Sequence, residues 1–188
     1  MRILITLLWL SCALQACSQQ KEVENTNSPV SIPGEDTISS FNTIKLYQEA
    51  ENLYRKYDYS KVIELCDRVI TINSDYTKAY YLRGKSERAL GNYNAAIKNF
   101  NVVIQRNPDY ADAYINRGGG YYELGNYTAA LNDYNQAIKV NPNDKVMYYN
   151  RALVYEKLGE IKKACVDWQT STELGYGISA KELEKNCK

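Results

Sequence analysis

The side chains that most often carry catalysis are scarce in this chain of 188 residues. Histidine is absent, which excludes catalytic triads, dyads and metal sites that are built on imidazole. The run Gly118-Gly119-Gly120 lies in a helical pattern and lacks the Lys-Ser or Lys-Thr pair of a phosphate-binding loop. Acidic residues are abundant but scattered. We therefore predict no catalytic residue, no metal ligand, no cofactor and no enzymatic activity.

Cysteine remains as a residue for covalent chemistry, and Cys17 has an informative context. Residues 3–14 form an almost wholly apolar run after Met1-Arg2, a pattern typical of a signal peptide and too short to span a bilayer. The next residues, Leu14-Gln15-Ala16-Cys17, resemble the lipobox of bacterial lipoproteins. The resemblance implies that residues 1–16 are removed and that Cys17 is acylated. The alternative is an ordinary secreted protein that is cut near Ala16.

A tether is predicted to follow the lipid anchor over residues 17–42. Residues 18–42 are polar, with two prolines and little apolar surface to bury. A flexible chain of about 25 residues spans about 25–30 Å on average. We expect a lipid-anchored protein of the bacterial cell envelope on the outer membrane, with periplasmic and surface-exposed orientations both open.

The rest of the chain repeats with a period of 34 residues. The clearest copy, residues 111–144, recurs at 77–110 and 145–178, and a more divergent copy occupies 43–76. Each copy predicts two helices joined by a turn, and stacking of the copies would bury their apolar faces. A small residue at position 8 of each copy would let the second helix approach closely: Ala50, Gly84, Gly118 and Ala152.

The turn Leu124-Gly125-Asn126-Tyr127 and the terminal Asn141-Pro142 resemble the tetratricopeptide repeat. The resemblance covers residues 43–178 and implies an all-α, right-handed α-solenoid of four helix-turn-helix units. Residues 179–188 resemble the capping helix that closes many solenoids of this family. Both end units depart from the pattern, the first at Tyr57, Val62, Cys66 and Ser74 and the last at Ser171 and Tyr176.

The resemblance implies that the concave face, lined by the first helix of each unit, binds a protein or peptide partner. Tyrosine offers a large contact area with a polar tip, and asparagine at position 6 can hold a peptide backbone. The candidate peptide-binding residues are Tyr47, Tyr54, Lys78, Tyr81, Lys85, Arg88, Asn116, Tyr122, Tyr149 and Asn150. The alternative is that tyrosine is simply common here and that half of these side chains pack between repeats.

Two classes of partner are disfavoured. The clamp that holds the C-terminal tails of Hsp70 and Hsp90 has Lys and Asn at positions 5 and 9 of one unit. This chain instead has Tyr47 with Glu51, Tyr81 with Lys85, and Ile115 with Gly119. A net charge of +1 gives no concentrated basic surface for a nucleic acid.

Two further features leave alternatives open. Cys165 begins the second helix of the last unit and Cys187 ends the capping helix, so a disulfide is allowed in an exported protein, and two thiols are the alternative. Gly119 and Gly120 each cost about 1 kcal/mol relative to alanine in a helix. We interpret them as drift in a stable array, and a flexible point in the solenoid is the alternative.

These features predict a membrane-anchored, non-catalytic scaffold that binds a partner peptide in its concave groove, within a cell-envelope complex. One alternative is a lipoprotein that binds glycans or small ligands on its tyrosines. Another is a structural solenoid that associates with itself through exposed end faces.

Overall fold

The computed structural model describes residues 35–188, and it describes side chains from residue 40 onward. The predicted signal peptide, the lipidation site at Cys17 and the tether up to residue 34 lie outside these residues. Within the described part, no helix is both long and apolar enough to cross a bilayer.

Nine helices follow one another along the described residues, with no strand between them. The fold is an all-α solenoid, as predicted. Four helix-turn-helix pairs precede a final single helix: α1 Glu35–Arg55 with α2 Tyr59–Ile72, α3 Thr77–Ala89 with α4 Tyr93–Arg106, α5 Ala111–Glu123 with α6 Tyr127–Val140, α7 Lys145–Lys157 with α8 Ile161–Glu173, and then α9 Gly177–Asn186.

Two helices begin earlier than predicted. Helix α1 begins at Glu35, so residues 35–42 are helical rather than part of a tether. Helix α9 begins at Gly177 instead of residue 179, because Tyr176 takes the N-cap position before it. Tyrosine also precedes α3 and α5 in this way.

A residue in the left-handed conformation ends the first helix of each pair. Gly91, Gly125 and Gly159 have φ angles of 81°, 74° and 75° there. The first unit has Tyr57 at this position, with a φ of 63°. A side chain in that region costs about 1–2 kcal/mol. The departure at Tyr57 therefore keeps the geometry of the turn and adds backbone strain.

Small residues at position 8 allow the two helices of a unit to pack closely. A Cβ atom on Gly84 would lie 2.8 Å from Cε1 of Phe100, and one on Gly118 would lie 3.0 Å from Cε1 of Tyr134. Both distances are too short for an ordinary contact. Where the second helix carries the ring of Phe100 or Tyr134, the first helix therefore requires glycine at position 8, in agreement with the predicted close approach.

A recurring polar contact, which sequence analysis missed, joins the two helices of a unit to each other and to the unit before. Arg117 donates from Nε and Nη2 to the Asp133 carboxylate at 2.8 and 2.6 Å, and from Nη1 to Asn101 of the preceding unit at 2.7 Å. The equivalent contacts recur one unit earlier and one unit later. They join Arg83 to Asn99 and Asp67, and Arg151 to Asp167 and Asn135. We call these three arginines and their partners the arginine clasps.

The last helix closes the solenoid against α8. A disulfide joins Cys165 of α8 to Cys187, the residue that follows α9. Leu183 and Cys187 pack on the cluster around the buried Trp168. Ser171, one of the departures from the repeat pattern, hydrogen bonds to Ser179 of α9 through the two hydroxyl oxygens, 2.6 Å apart. These contacts fix α9 as a cap on the last unit.

Cys66 of the first unit lies fully buried in the core that α1, α2 and α3 share. Burial raises the pKa of its thiol to about 12. At neutral pH this residue is therefore a protonated, apolar core side chain.

Candidate functional site

The first helices of the units lie on the inner side of the solenoid. Helix α3 contacts α5, and α5 contacts α7, whereas within residues 35–188 the second helices α4, α6 and α8 make no comparable contacts with one another. Elements on the inside of a curved stack lie closer together than those on the outside. We call the surface formed by α1, α3, α5 and α7 the inner groove. Every candidate peptide-binding residue lies on one of these four helices.

Three of the candidate tyrosines take part in packing between units. The rings of Tyr47, Tyr81 and Tyr149 each lie against the tyrosine that precedes a later helix. The ring centroids are 5.1 Å from Tyr76, 5.1 Å from Tyr110 and 5.2 Å from Tyr176, respectively. All three candidates are half-buried, and burial raises the pKa of Tyr47 and of Tyr81. These tyrosines therefore form part of the floor of the groove and also join its units.

Lys85 connects the first two units across the groove. Its Nζ atom lies 4.5 Å from the ring centroid of Tyr54 and 5.5 Å from that of Tyr81. Burial is the largest cause of a lowered pKa for Lys85, and the nearby charge of Arg88 lowers it further. Lys78, in contrast, is exposed in the first turn of α3 and lies apart from these contacts.

A cavity of about 310 Å³ opens in the groove between α3, α5 and α7. It brings together four of the candidate residues, Arg88, Asn116, Tyr122 and Asn150. Six further residues that were not predicted from the sequence also line it: Ile115, Gly119, Glu123, Tyr134, Val146 and Leu153. Tyr134 belongs to the second helix α6, and its ring reaches the cavity past Gly118 and Gly119.

The glycine run has a structural role in this cavity. A Cβ atom on Gly119 would lie 3.3 Å from Nη1 of Arg88 and 3.8 Å from the Tyr134 hydroxyl, within the space that these groups face. A Cβ atom on Gly120 would lie 3.2 Å from Cγ1 of Ile97 on α4. A Cβ atom would be crowded at either position, which favours a structural role for Gly119 and Gly120 over drift.

The two asparagines at position 6 differ in their contacts. Asn116 donates from Nδ2 to the Tyr81 hydroxyl at 3.2 Å and to the carbonyl oxygen of Asp112 at 2.7 Å. Its amino group is thus engaged within the protein. The side chain of Asn150 lines the same cavity and makes no hydrogen bond within the described part of the chain. The predicted role of holding a ligand backbone fits Asn150 better than Asn116.

Charge is distributed unevenly along the groove. Lys85 and Arg88 lie one helical turn apart on α3, on one side of the cavity. Carboxylates lie on the other side, where Glu123 and Glu156 help to raise the pKa of Tyr122 after the larger effect of burial. Glu182 of α9 acts in the same way on Tyr149. The groove is therefore basic in the second unit and acidic toward the cap.

Family models support the interpretation of the repeats. A model of the TPR repeat matches residues 84–119 and 120–159, and a second tetratricopeptide repeat model matches residues 146–173. This chain is a tetratricopeptide repeat protein. A search of curated proteins finds no significant match by sequence.

Solved structures with this fold resemble the chain over most of its length. TTC0263, a thermophilic TPR protein of Thermus thermophilus, is 25% identical, with 71% of this chain and 74% of that chain covered and a TM-score of 0.63. MamA from Desulfovibrio magneticus RS-1 is 20% identical, with 70% and 75% covered and a TM-score of 0.68. YrrB, described as a TPR protein with an unusual peptide-binding site, is 14% identical, with 76% and 74% covered and a TM-score of 0.69. The tetratricopeptide fold supports a role as a protein-interaction scaffold.

Proposed function

We propose that this protein is a non-catalytic, membrane-anchored scaffold whose inner groove binds an extended peptide segment of a partner protein. The observation that carries the proposal is the cavity between α3, α5 and α7, which collects Arg88, Tyr122 and Asn150 at the centre of the groove. Large aromatic rings and unengaged polar groups are typical of surfaces that bind peptides.

The proposed location is the outer membrane of a bacterial cell envelope, with Cys17 as the lipid-bearing N terminus. The lipobox resemblance at residues 14–17 supports the anchor. The disulfide between Cys165 and Cys187 supports export, because disulfides persist in oxidising compartments and are rare in the cytosol. A tether between the anchor and α1 would hold the groove away from the lipid surface.

The test of groove binding is crosslinking and pull-down from native membranes, read by mass spectrometry. Substitution of Tyr47, Tyr81 or Tyr149 would disturb packing between units, so the variant should instead change the lining of the cavity. We choose the triple variant Arg88→Gln, Tyr122→Ala and Asn150→Ala. The matched control carries the same three changes at residues outside the groove: Arg68→Gln, Tyr57→Ala and Asn94→Ala. All three control residues are exposed.

We expect the wild type and the control variant to recover the same partner, and the cavity variant to lose it. Equal recovery by all three proteins would contradict binding in the groove. A protein that recovers only further copies of itself would favour the self-associating solenoid, and saturable binding of sugars without a protein partner would favour the glycan-binding alternative.

The test of anchoring is metabolic labelling with an alkyne-bearing fatty acid. We expect label on the wild type and none on Cys17→Ala, which should move from the membrane fraction to the soluble fraction. Label that remains on Cys17→Ala would contradict the proposed anchor.

A further inference from the structure

Arg88 is exposed at the cavity and differs from the half-buried arginines of the clasps. Arg83, Arg117 and Arg151 each form an ion pair with an aspartate in the arginine clasps. Arg88 lines the cavity and makes no ion pair within residues 40–188, and neither does Lys85, one turn earlier on the same helix. Two like charges in this arrangement repel each other. Asp112 offsets this repulsion at Lys85, so the charge that an anion in the cavity would pair is that of Arg88.

Tyr134 supplies a second, independent indication of a ligand. Its side chain is only 3% exposed, and its hydroxyl faces the cavity at the point where Gly119 has no side chain. That hydroxyl has no hydrogen-bond partner among the described residues. The hydroxyl oxygen itself is open to the cavity, since it is not among the buried polar atoms that lack a partner in the described residues, so it can donate to a ligand atom that lies there.

The remaining polar groups favour a carboxylate. The guanidinium of Arg88, the hydroxyl of Tyr134 and the free amide of Asn150 can all donate to the two oxygens of one carboxylate. A cationic ligand would meet Arg88 and Lys85 instead. Three acidic residues act on this region, Asp112 on Lys85, Glu123 on Tyr134 and Tyr122, and Glu156 on Tyr122, so an anion would lie on the Arg88 side.

The groove continues in both directions from the cavity, so the carboxylate belongs to a side chain within a peptide and not to its C terminus. Tyr54 and Tyr81 lie on the side of the first unit, and Tyr149 lies on the side of the cap. The walls formed by Val146 and Leu153 can contact the methylene groups of such a side chain. Glu156 and Glu182 lie near Tyr149 and would attract a basic residue further along the same peptide.

We propose that the cavity binds the carboxylate of a glutamate or aspartate inside an extended partner peptide, and that a lysine or arginine of that peptide lies toward the cap, near Glu156 and Glu182. This inference rests on the proposed function, since it names the chemistry of the segment that the groove holds. It uses donors from the second, third and fourth units and from helix α6.

The test measures retention of the full chain, solubilised in detergent, on immobilised peptide libraries. The peptides are N-acetylated, C-terminally amidated decapeptides with randomised neighbours and a central residue fixed as Glu, Asp, Gln or Lys. We expect Glu and Asp libraries to retain about tenfold more protein than the Gln library, because a hydrogen-bonded charge is lost in the amide. The Lys library should retain the least.

Variants show whether the preference arises in the cavity. Arg88→Gln and Tyr134→Phe should each remove the difference between the Glu and Gln libraries, and Gly119→Ala should reduce it by filling the space. Arg68→Gln is the matched control, an exposed arginine on α2 that should keep the wild-type preference. Circular dichroism melting of each variant shows that it remains folded. A further set of libraries fixes a second position, on the side of the peptide that lies toward the cap. Lys at that position should be retained better than Glu, and the double variant Glu156→Gln with Glu182→Gln should remove that preference.

The outcomes separate this inference from the proposed function. Equal retention on the Glu and Gln libraries would overturn the inference and leave peptide binding in place. Retention only on peptides with a free C-terminal carboxylate would overturn the choice of an internal side chain. The absence of retention on every library would count against peptide binding in the groove itself. A wild-type preference that persists in Arg88→Gln and Tyr134→Phe would place the acidic specificity outside this cavity.

Discussion

Removal of Asp133 is expected to destabilise the solenoid through the arginine clasp of its third unit. The side chain of Asp133 is 5% exposed and that of Arg117 is 18% exposed, and two hydrogen bonds join them at 2.8 and 2.6 Å. In Asp133→Ala the guanidinium keeps the hydrogen bond to Asn101 and the contact with the Tyr114 ring, but it loses its counter-charge.

The expected magnitude follows from this partial burial. Breaking a fully buried ion pair costs about 3–5 kcal/mol, so this partly exposed pair should cost about 3 kcal/mol. A domain of this size loses roughly 2–4 °C per kcal/mol, which gives a fall in melting temperature of about 6–12 °C. Asp133→Asn should cost less, because the second unit already pairs Arg83 with Asn99 at 2.9 Å.

The assay is thermal and urea unfolding followed by circular dichroism. The control is Asp75→Ala, since Asp75 pairs with Arg106 at 3.4 Å but is 91% exposed, and such a pair contributes less than about 1 kcal/mol. A double-mutant cycle with Arg117→Met isolates the coupling between the two partners. A melting temperature for Asp133→Ala equal to that of Asp75→Ala would refute the assignment of the Arg117–Asp133 ion pair, which joins the two helices of the third unit, as a stabilising contact.

Three further changes test other features of the stack. Tyr57→Gly should raise the free energy of unfolding by about 1 kcal/mol, because glycine adopts a positive φ without strain, and unchanged urea unfolding would contradict this. Gly118→Ala should lower the free energy of unfolding by about 1–3 kcal/mol, because the added methyl group would crowd the Tyr134 ring. Gly119→Ala should raise it by up to about 1 kcal/mol, because alanine is the better helix former. A lower free energy of unfolding in both variants would refute the assignment of Gly119 to the cavity. Replacing Cys165 and Cys187 by alanine opens a loop closed over 22 residues, which in the entropic model should destabilise the cap by about 3 kcal/mol. Hydrogen exchange in α9 measures this loss, and unchanged exchange there would contradict it.

The fold was predictable because the period of 34 residues, the turn glycines and the small residues at position 8 all specify the same geometry. The start of α1 was not, since residues 35–42 lack apolar periodicity in the sequence. Ser40, Phe41 and Asn42 are exposed, and Phe41 is 68% exposed. The sequence does contain a pattern that indicates the arginine clasps. Arginine recurs at position 7 of three units, with Asp or Asn at position 23 of the same unit and at position 25 of the unit before.

The candidate site was predictable only in outline. The resemblance to the tetratricopeptide repeat placed Arg88, Asn116 and Asn150 on the inner face, but it could not show that they meet at one cavity. Tyr134 was not among the candidates, because it belongs to the second helix of its unit, and its hydroxyl reaches the groove where Gly119 leaves space. Tyr47, Tyr81 and Tyr149 at position 5 pack against tyrosines that lie in the loops between units. These contacts depend on the conformation of the loops, which the spacing of the repeats does not predict.

The central claim is that the inner groove of this protein holds its partner, and site-specific photocrosslinking in native membranes tests it most directly. A photoreactive amino acid is placed at Asn150 in the cavity, and in a separate protein at Asn94, an exposed residue of the second helix α4. The account predicts a defined protein adduct from Asn150 and none from Asn94. An adduct from Asn94 alone, or adducts of equal yield from both positions, would contradict it.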